Sequence, residues 1–128
     1  YNYKIIRGRG MLICVYDTAN EAEILKAKIT QITTAAYRRI AYRVCGRYES
    51  FVNECKTADL IIVLANGANG MEGVIAVKSV DRNKPVIWLS DDEGFGVQSY
   101  RLGCNYFHKK PIPVERLRDA LIKCGCLV

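Results

Sequence analysis

No stretch of this chain approaches the roughly 20 consecutive apolar residues of a membrane-spanning helix, although half of its 128 residues are hydrophobic. A helical membrane protein is therefore not expected. Residues 1–10 (YNYKIIRGRG) lack the apolar middle and the cleavage site of a secretion signal, so a cytoplasmic location is expected. Histidine is almost absent: His108 is the single one. It adjoins Lys109 and Lys110, and nothing beside it supplies a nucleophile. There is no CxxC pair, P-loop or GxGxxG turn, which removes the usual signatures of zinc, nucleotide and dinucleotide sites. The six cysteines include Cys124 and Cys126, a CxC that reads as reduced thiols in a frayed tail. A core-forming chain of this size without a secretion signal is not expected to carry a disulfide framework. No acid, base and nucleophile converge by sequence, so no enzyme activity, cofactor or metal is called for.

What is present is a soluble globular balance, with a quarter of the residues charged and a net charge of +6. Such an excess suits nucleic acid, an anionic surface or an acidic protein, or serves solubility alone. Short apolar runs alternate with amphipathic stretches. Met11–Val15 is a continuous apolar run, the pattern of a strand buried on both faces. Thr18-Ala19-Asn20-Glu21 has the spacing of a capping box, and Ala22, Leu25, Ile29 and Ile32 then recur at helical spacing. Residues 40–45 read as a second strand, with Arg43 suggesting an edge, and residues 50–56 as a short helix.

Residues 59–64 form the clearest buried strand. Asn66-Gly67-Ala68-Asn69-Gly70 reads as a loop by composition, followed by a helix over residues 71–80. Pro85–Leu89 is a fourth strand, with proline at its first position. A helix around residues 95–102 and a strand over residues 104–108 follow. Pro113 opens a last helix whose apolar stripe is Val114, Leu117, Leu121 and Cys124. Buried strands joined by helical crossovers imply a parallel sheet covered on both faces. Ligands of such sheets bind outside the carboxyl ends of the strands, near Asp17, Ala65, Ser90 and Lys110. One domain is expected over residues 11–124, with an N-terminal extension (1–10) and a C-terminal tail (125–128).

Three stretches then resemble the receiver domain of bacterial response regulators. The first is Asp59–Leu64 followed by Gly70-Met71-Glu72-Gly73. The second is Pro85–Leu89 ending in Ser90. The third is Gly103-Cys104-Asn105-Tyr106-Phe107-His108-Lys109-Lys110-Pro111. The resemblance covers about residues 11 to 124. It implies a flavodoxin-like α/β fold with five parallel strands in the order 2-1-3-4-5 and five helices. It also implies a cis bond between Lys110 and Pro111. In that family an aspartate ending strand three accepts a phosphoryl group, and two acids ending strand one help to hold Mg2+. A hydroxyl ending strand four and a lysine ending strand five contact the phosphoryl oxygens, while an aromatic on strand five repacks.

Residue by residue, Lys110 matches the lysine, Ser90 the hydroxyl, Phe107 the switch aromatic and Asp17 one acid of the pair. The acceptor position does not match. Counting back from Met71-Glu72-Gly73 gives Ala65, and counting forward from Asp59 gives Leu64. Neither is a carboxylate. Lys110 must then find Asp17, Asp91, Asp92 or solvent. Ser90 reads slightly better as a helix cap than as a phosphoryl contact, and Asp91-Asp92-Glu93 as partners of a helix dipole rather than metal ligands.

The least ordinary segment is Tyr37 to Tyr48, where Arg38, Arg39, Tyr42, Arg43 and Arg47 interleave cations with aromatics. It fits a protein interface or a solvated edge better than a grip on nucleic acid. The leading expectation is a pseudo-receiver of two-component-type signalling. Such a module would bind a protein partner or itself without phosphoryl control. Family precedent points to the fourth and fifth helices and fifth strand as the dimer face. The alternatives are a nucleic-acid-binding or transcription-regulatory module using the basic segment, and a binder of small anions at the strand ends. Whether an output domain lies outside this sequence is left open.

Overall fold

Five runs of branched and aromatic residues pair into one parallel sheet, composed of β1 (Met11–Asp17), β2 (Ile40–Cys45), β3 (Leu60–Leu64), β4 (Val86–Ser90) and β5 (Tyr106–Lys109). The computed structural model describes residues 10–34 and 39–127. The strand order is β2-β1-β3-β4-β5, as the resemblance implies. Asp17 stands opposite Leu64, and Tyr16 opposite both Cys45 and Val63. Every residue of β3 and β4 is buried, because helices cover both faces of the sheet.

One face carries α1 (Ala22–Thr33) and α5 (Val114–Lys123). The expected stripe of α1, namely Ala22, Leu25, Ile29 and Ile32, is buried against β1, β3 and β4 together with Leu117 and Leu121 of α5. Each such side chain contributes about 1.5–3 kcal/mol on burial. The other face carries α2 (Tyr48–Glu54), α3 (Gly67–Val80) and α4 (Gly96–Arg101). Phe51, Val74, Val77 and Trp88 are the large groups of that second core.

Three local expectations are corrected. The segment 66–70 is not a loop: α3 begins at Gly67, four residues before the expected start. Gly70 serves contact rather than flexibility. A Cβ at Gly70 would lie 2.3 Å from the Ala65 carbonyl oxygen and 2.3 Å from the Trp88 indole nitrogen. The residues Thr18 to Glu21 do not form a capping box, since no side chain of Glu21 caps α1. The fifth strand starts at Tyr106, because Asn105 brackets Val86 instead: its N–H donates to the Val86 carbonyl (2.9 Å), and its side-chain oxygen accepts from the Val86 N–H (3.0 Å).

The C-terminal tail is also packed rather than frayed. Gly125 takes φ +75°, which only glycine adopts freely. This lets Gly125 N–H donate to Ile122 O (3.0 Å) and Cys126 N–H to Leu121 O (2.9 Å), a Schellman closure. The chain thereby turns back, and Cys126 and Leu127 enter the core at 3% and 7% exposure. The glycine of the CxC is the helix terminator. The N-terminal segment 1–9 and, from the basic and aromatic segment, Tyr37 and Arg38 lie outside the described residues.

Candidate functional site

The carboxyl ends of the strands bring together Asp17, Leu64, Ala65, Ser90 and the residue after β5, Lys110. The topology does this because all five strands run the same way, so their ends share one edge of the sheet. Ser90 ends β4 fully buried, and Ala65 follows β3 at 1% exposure. The peptide bond between Lys110 and Pro111 is cis.

Each polar group here already has a partner. The Asp17 carboxylate accepts from the backbone N–H of Ala22 (2.8 Å), Glu21 (3.0 Å) and Ala19 (3.3 Å). It thus satisfies the free amides at the start of α1 and faces the positive end of that helix. Ser90 Oγ accepts from Asp92 N–H (3.2 Å) and Gly67 N–H (3.5 Å). The Asn66 side-chain oxygen accepts from Asp91 N–H at 2.9 Å. Asp92 caps the short turn Glu93–Phe95 by accepting from Gly94 N–H at 2.8 Å. Glu93 lies 3.8 Å from Lys109 Nζ.

Lys110 finds none of the acids named for it from the sequence. Its Nζ donates to Glu21 Oε1 at 2.6 Å. Glu21 was overlooked because its spacing suggested a capping role. The Trp88 indole N–H donates to the Ala65 carbonyl at 2.9 Å. The sequence signal for that bond was present in a tryptophan at a buried strand position, which needs an acceptor. Phe107 meets Trp88 edge-on, with centroids 5.2 Å apart and planes at 84°, and Phe95 lies 5.7 Å from the same ring. The switch-aromatic position is therefore packed on an indole whose own N–H is held by the β3 end.

The basic segment divides between the two faces of the sheet, as residues of alternating parity must. Tyr42 turns toward α1, where its ring lies 5.4 Å from Lys26 Nζ and its hydroxyl 3.5 Å from Lys26 O. Arg43 turns toward α2 and pairs with Glu54 at 3.6 Å, while Arg47 lies 4.0 Å from Glu49. Arg39 is exposed at the opposite end of the sheet from Arg47. Arg43 and Arg47 border one cleft together with Glu54, and each of the two faces an acid.

Among the described residues no three His, Cys, Asp or Glu side chains are placed to hold a metal ion. The six cysteines form no disulfide. Burial pushes the Cys104 and Cys126 thiols up to about 12, and it raises Cys14 and Cys124 still further. Protonated thiols in such settings are poor nucleophiles and poor ligands. No described helix is long and apolar enough to cross a membrane.

Comparison with known proteins places the fold. No family model matches this sequence, and no curated protein matches it. Solved structures do. A candidate response regulator of Chloroflexus aurantiacus superposes with a TM-score of 0.73 at 17% identity, covering 91% of this chain and 99% of that one. The N-terminal signal receiver domain of a two-component response regulator from Bacteroides fragilis gives 0.69 at 16% identity, over 94% and 100% of the two chains. A Francisella response-regulator receiver domain gives 0.66 at 18% identity, over 90% and 97%. The chain has the receiver-domain fold, flavodoxin-like and five-stranded.

Proposed function

We propose that this chain is a receiver-type signalling module that has lost phosphoryl control and acts by binding a protein, either a signalling partner or a second copy of itself. The observation that carries this reading is the chemistry of the β3 end. Leu64 and Ala65 are the two residues that could stand at the acceptor position, and neither bears a nucleophile. The surrounding groups support it. Asp17 is held by three amides, Lys110 is engaged by Glu21, and Ser90 is engaged by neighbouring amides. A metal normally takes its carboxylates from these same strand ends, so Mg2+ recruitment is lost with the acceptor. On this reading the module is not an enzyme, needs no cofactor and works in the cytoplasm.

The partner surface is the face of α4, β5 and α5. On α4, Val97 and Tyr100 stand three residues apart with 63% and 79% of their surfaces exposed. On α5 and β5, Tyr106, Ile122 and Lys123 border a cleft of about 330 Å3. An exposed aromatic beside an apolar residue is the composition of an interface anchor. The test is capture of partners from lysate by the intact chain, with low- and high-salt washes, a nuclease control, and Mg2+ with beryllofluoride added or omitted. The reading expects a protein partner that resists salt and nuclease, ignores beryllofluoride, and is lost with Tyr100→Ala. Nucleic acid that is retained at low salt and lost at high salt, without a stable protein partner, would transfer the function to the basic segment.

A further inference from the structure

The sheet end has a second feature, on the α1 side, that the interaction reading does not use. Between α1 and the segment after β5 lies a cavity of about 110 Å3, with Leu64 and Leu89 as its floor and Leu25 and Ile112 as its walls. All four of these side chains are buried. The mouth carries two cations, Lys28 and Lys110, and one acid, Glu21. Lys28 is anchored through its Nζ, which donates to Ile112 O at 2.9 Å. The Lys110 side chain is only 12% exposed, whereas its partner Glu21 is 44% exposed. A half-open apolar pocket, which Ile24 and Pro111 also line, is thus bordered by a nearly buried ammonium that a half-exposed carboxylate holds.

We infer that this cavity binds a short branched monocarboxylate, with the alkyl group inside and the carboxylate replacing Glu21 on Lys110. Two independent features set the class. An apolar cavity of about 150 Å3 takes up benzene, so one of this size holds roughly four to five carbons. The Glu21 contact at 2.6 Å marks where a carboxylate oxygen sits against the ammonium. Charge complementarity at the mouth favours a single negative charge, since Glu21 released into water stays close by. Glu21 is itself 44% exposed, so its carboxylate returns to water when a ligand carboxylate takes its place on Lys110. The floor sits at the carboxyl ends of β3 and β4 and the mouth at the end of β5, so occupancy couples the ligand to the strand-end edge without touching Ser90 or Phe107.

The experiment is a titration of the intact chain with isovalerate, followed by NMR and by calorimetry. Acetate serves as the charge-only control and isovaleramide as the shape-only control. Binding on the order of a millimolar is expected for so few heavy atoms, with shifts confined to Leu25, Leu64, Leu89, Ile112 and Lys110. Lys110→Met is expected to weaken binding at least tenfold. Glu21→Gln is expected to tighten it severalfold, because the competing carboxylate is gone. Circular dichroism on both variants separates a lost site from a lost fold, and Glu21→Gln leaves the apolar lining untouched. No saturable shift up to tens of millimolar would overturn the inference. So would equal binding of acetate, equal binding of isovaleramide, or a Glu21→Gln variant that binds more weakly than the parent. A partner protein filling the cavity with its own leucine while the acid shifts nothing would overturn it as well. None of these outcomes bears on the response to beryllofluoride, so the ligand site and the interaction reading fail separately.

Discussion

Replacing Gly70 with alanine reverses the sign that helix propensity gives. Gly70 lies within α3 (Gly67–Val80), and alanine in place of glycine in a helix ordinarily stabilises by about 1 kcal/mol. Here the new methyl would stand 2.3 Å from both the Ala65 carbonyl oxygen and the Trp88 indole nitrogen, and 2.7 Å from an indole carbon. Those atoms belong to backbone and to a fully buried ring, so neither can swing aside. The start of α3 must lift by about an ångström, an overpacking cost of about 1–3 kcal/mol. The lift also opens the bond from the indole N–H to Ala65 O, and a buried donor left unpaired costs about 1–3 kcal/mol. With the propensity gain subtracted, the net loss is about 1–5 kcal/mol. Urea unfolding followed by the fluorescence of Trp88, the single tryptophan, measures it directly. At about 2 kcal/mol per molar urea, the midpoint should fall by about 0.5–2.5 M. A midpoint at or above that of the parent would refute the close approach of α3 to Trp88.

Other consequences follow from the same geometry. Asp17→Ala should lower stability by about 2–4 kcal/mol in chemical denaturation, since three amides lose a charged acceptor in a buried setting; a change below about 0.5 kcal/mol would mean that the carboxylate is not the cap of α1. Leu127→Ala should cost about 2–4 kcal/mol by the same assay, whereas a truly frayed tail would show no effect. The thiols give a pH dependence. Cys104 and Cys126 are pushed up to about 12 by burial, while an unfolded chain ionises its cysteines near 8.5. The folded state therefore holds protons that the unfolded state releases. Stability is complete below about pH 8.5 and falls above it, by about 1.4 kcal/mol per pH unit for each such thiol, until the folded value is reached. Unfolding midpoints measured from pH 7 to pH 10 check the sign, and a flat profile would place these thiols in water.

Much of the fold was legible because a doubly covered parallel sheet writes itself as continuous apolar runs. Met11–Val15, Asp59–Leu64 and Pro85–Leu89 could be read as buried strands with no knowledge of their neighbours. The errors fell where glycine and acids serve tertiary contacts. Asn66 to Gly70 has the composition of a loop, yet Gly70 allows α3 to touch Trp88, a long-range requirement that local propensity does not carry. Glu21 has the spacing of a capping residue, yet Asp17 caps the helix and Glu21 reaches Lys110, 89 positions away. The tail illustrates the same point: the CxC around Gly125 reads as a frayed end, but a left-handed turn there closes the last helix and returns Cys126 and Leu127 to the core. At the strand ends the residue types were readable and their partners were not, because partners depend on rotamers and on which helix end lies nearest. Tyr42 and Arg43 are adjacent in sequence, but alternate positions of β2 face opposite sides of the sheet, so the two find partners on different helices.

We propose that the strand-end edge no longer answers to a phosphoryl group. The most direct test is an NMR titration of the chain with beryllofluoride in the presence of Mg2+. Loss of phosphoryl control predicts no saturable change in the backbone amides of Asp17, Ala65, Ser90 and Lys110, and no movement of the Phe107 ring against Trp88. Saturable, Mg2+-dependent shifts at those residues, accompanied by repacking of Phe107, would contradict it.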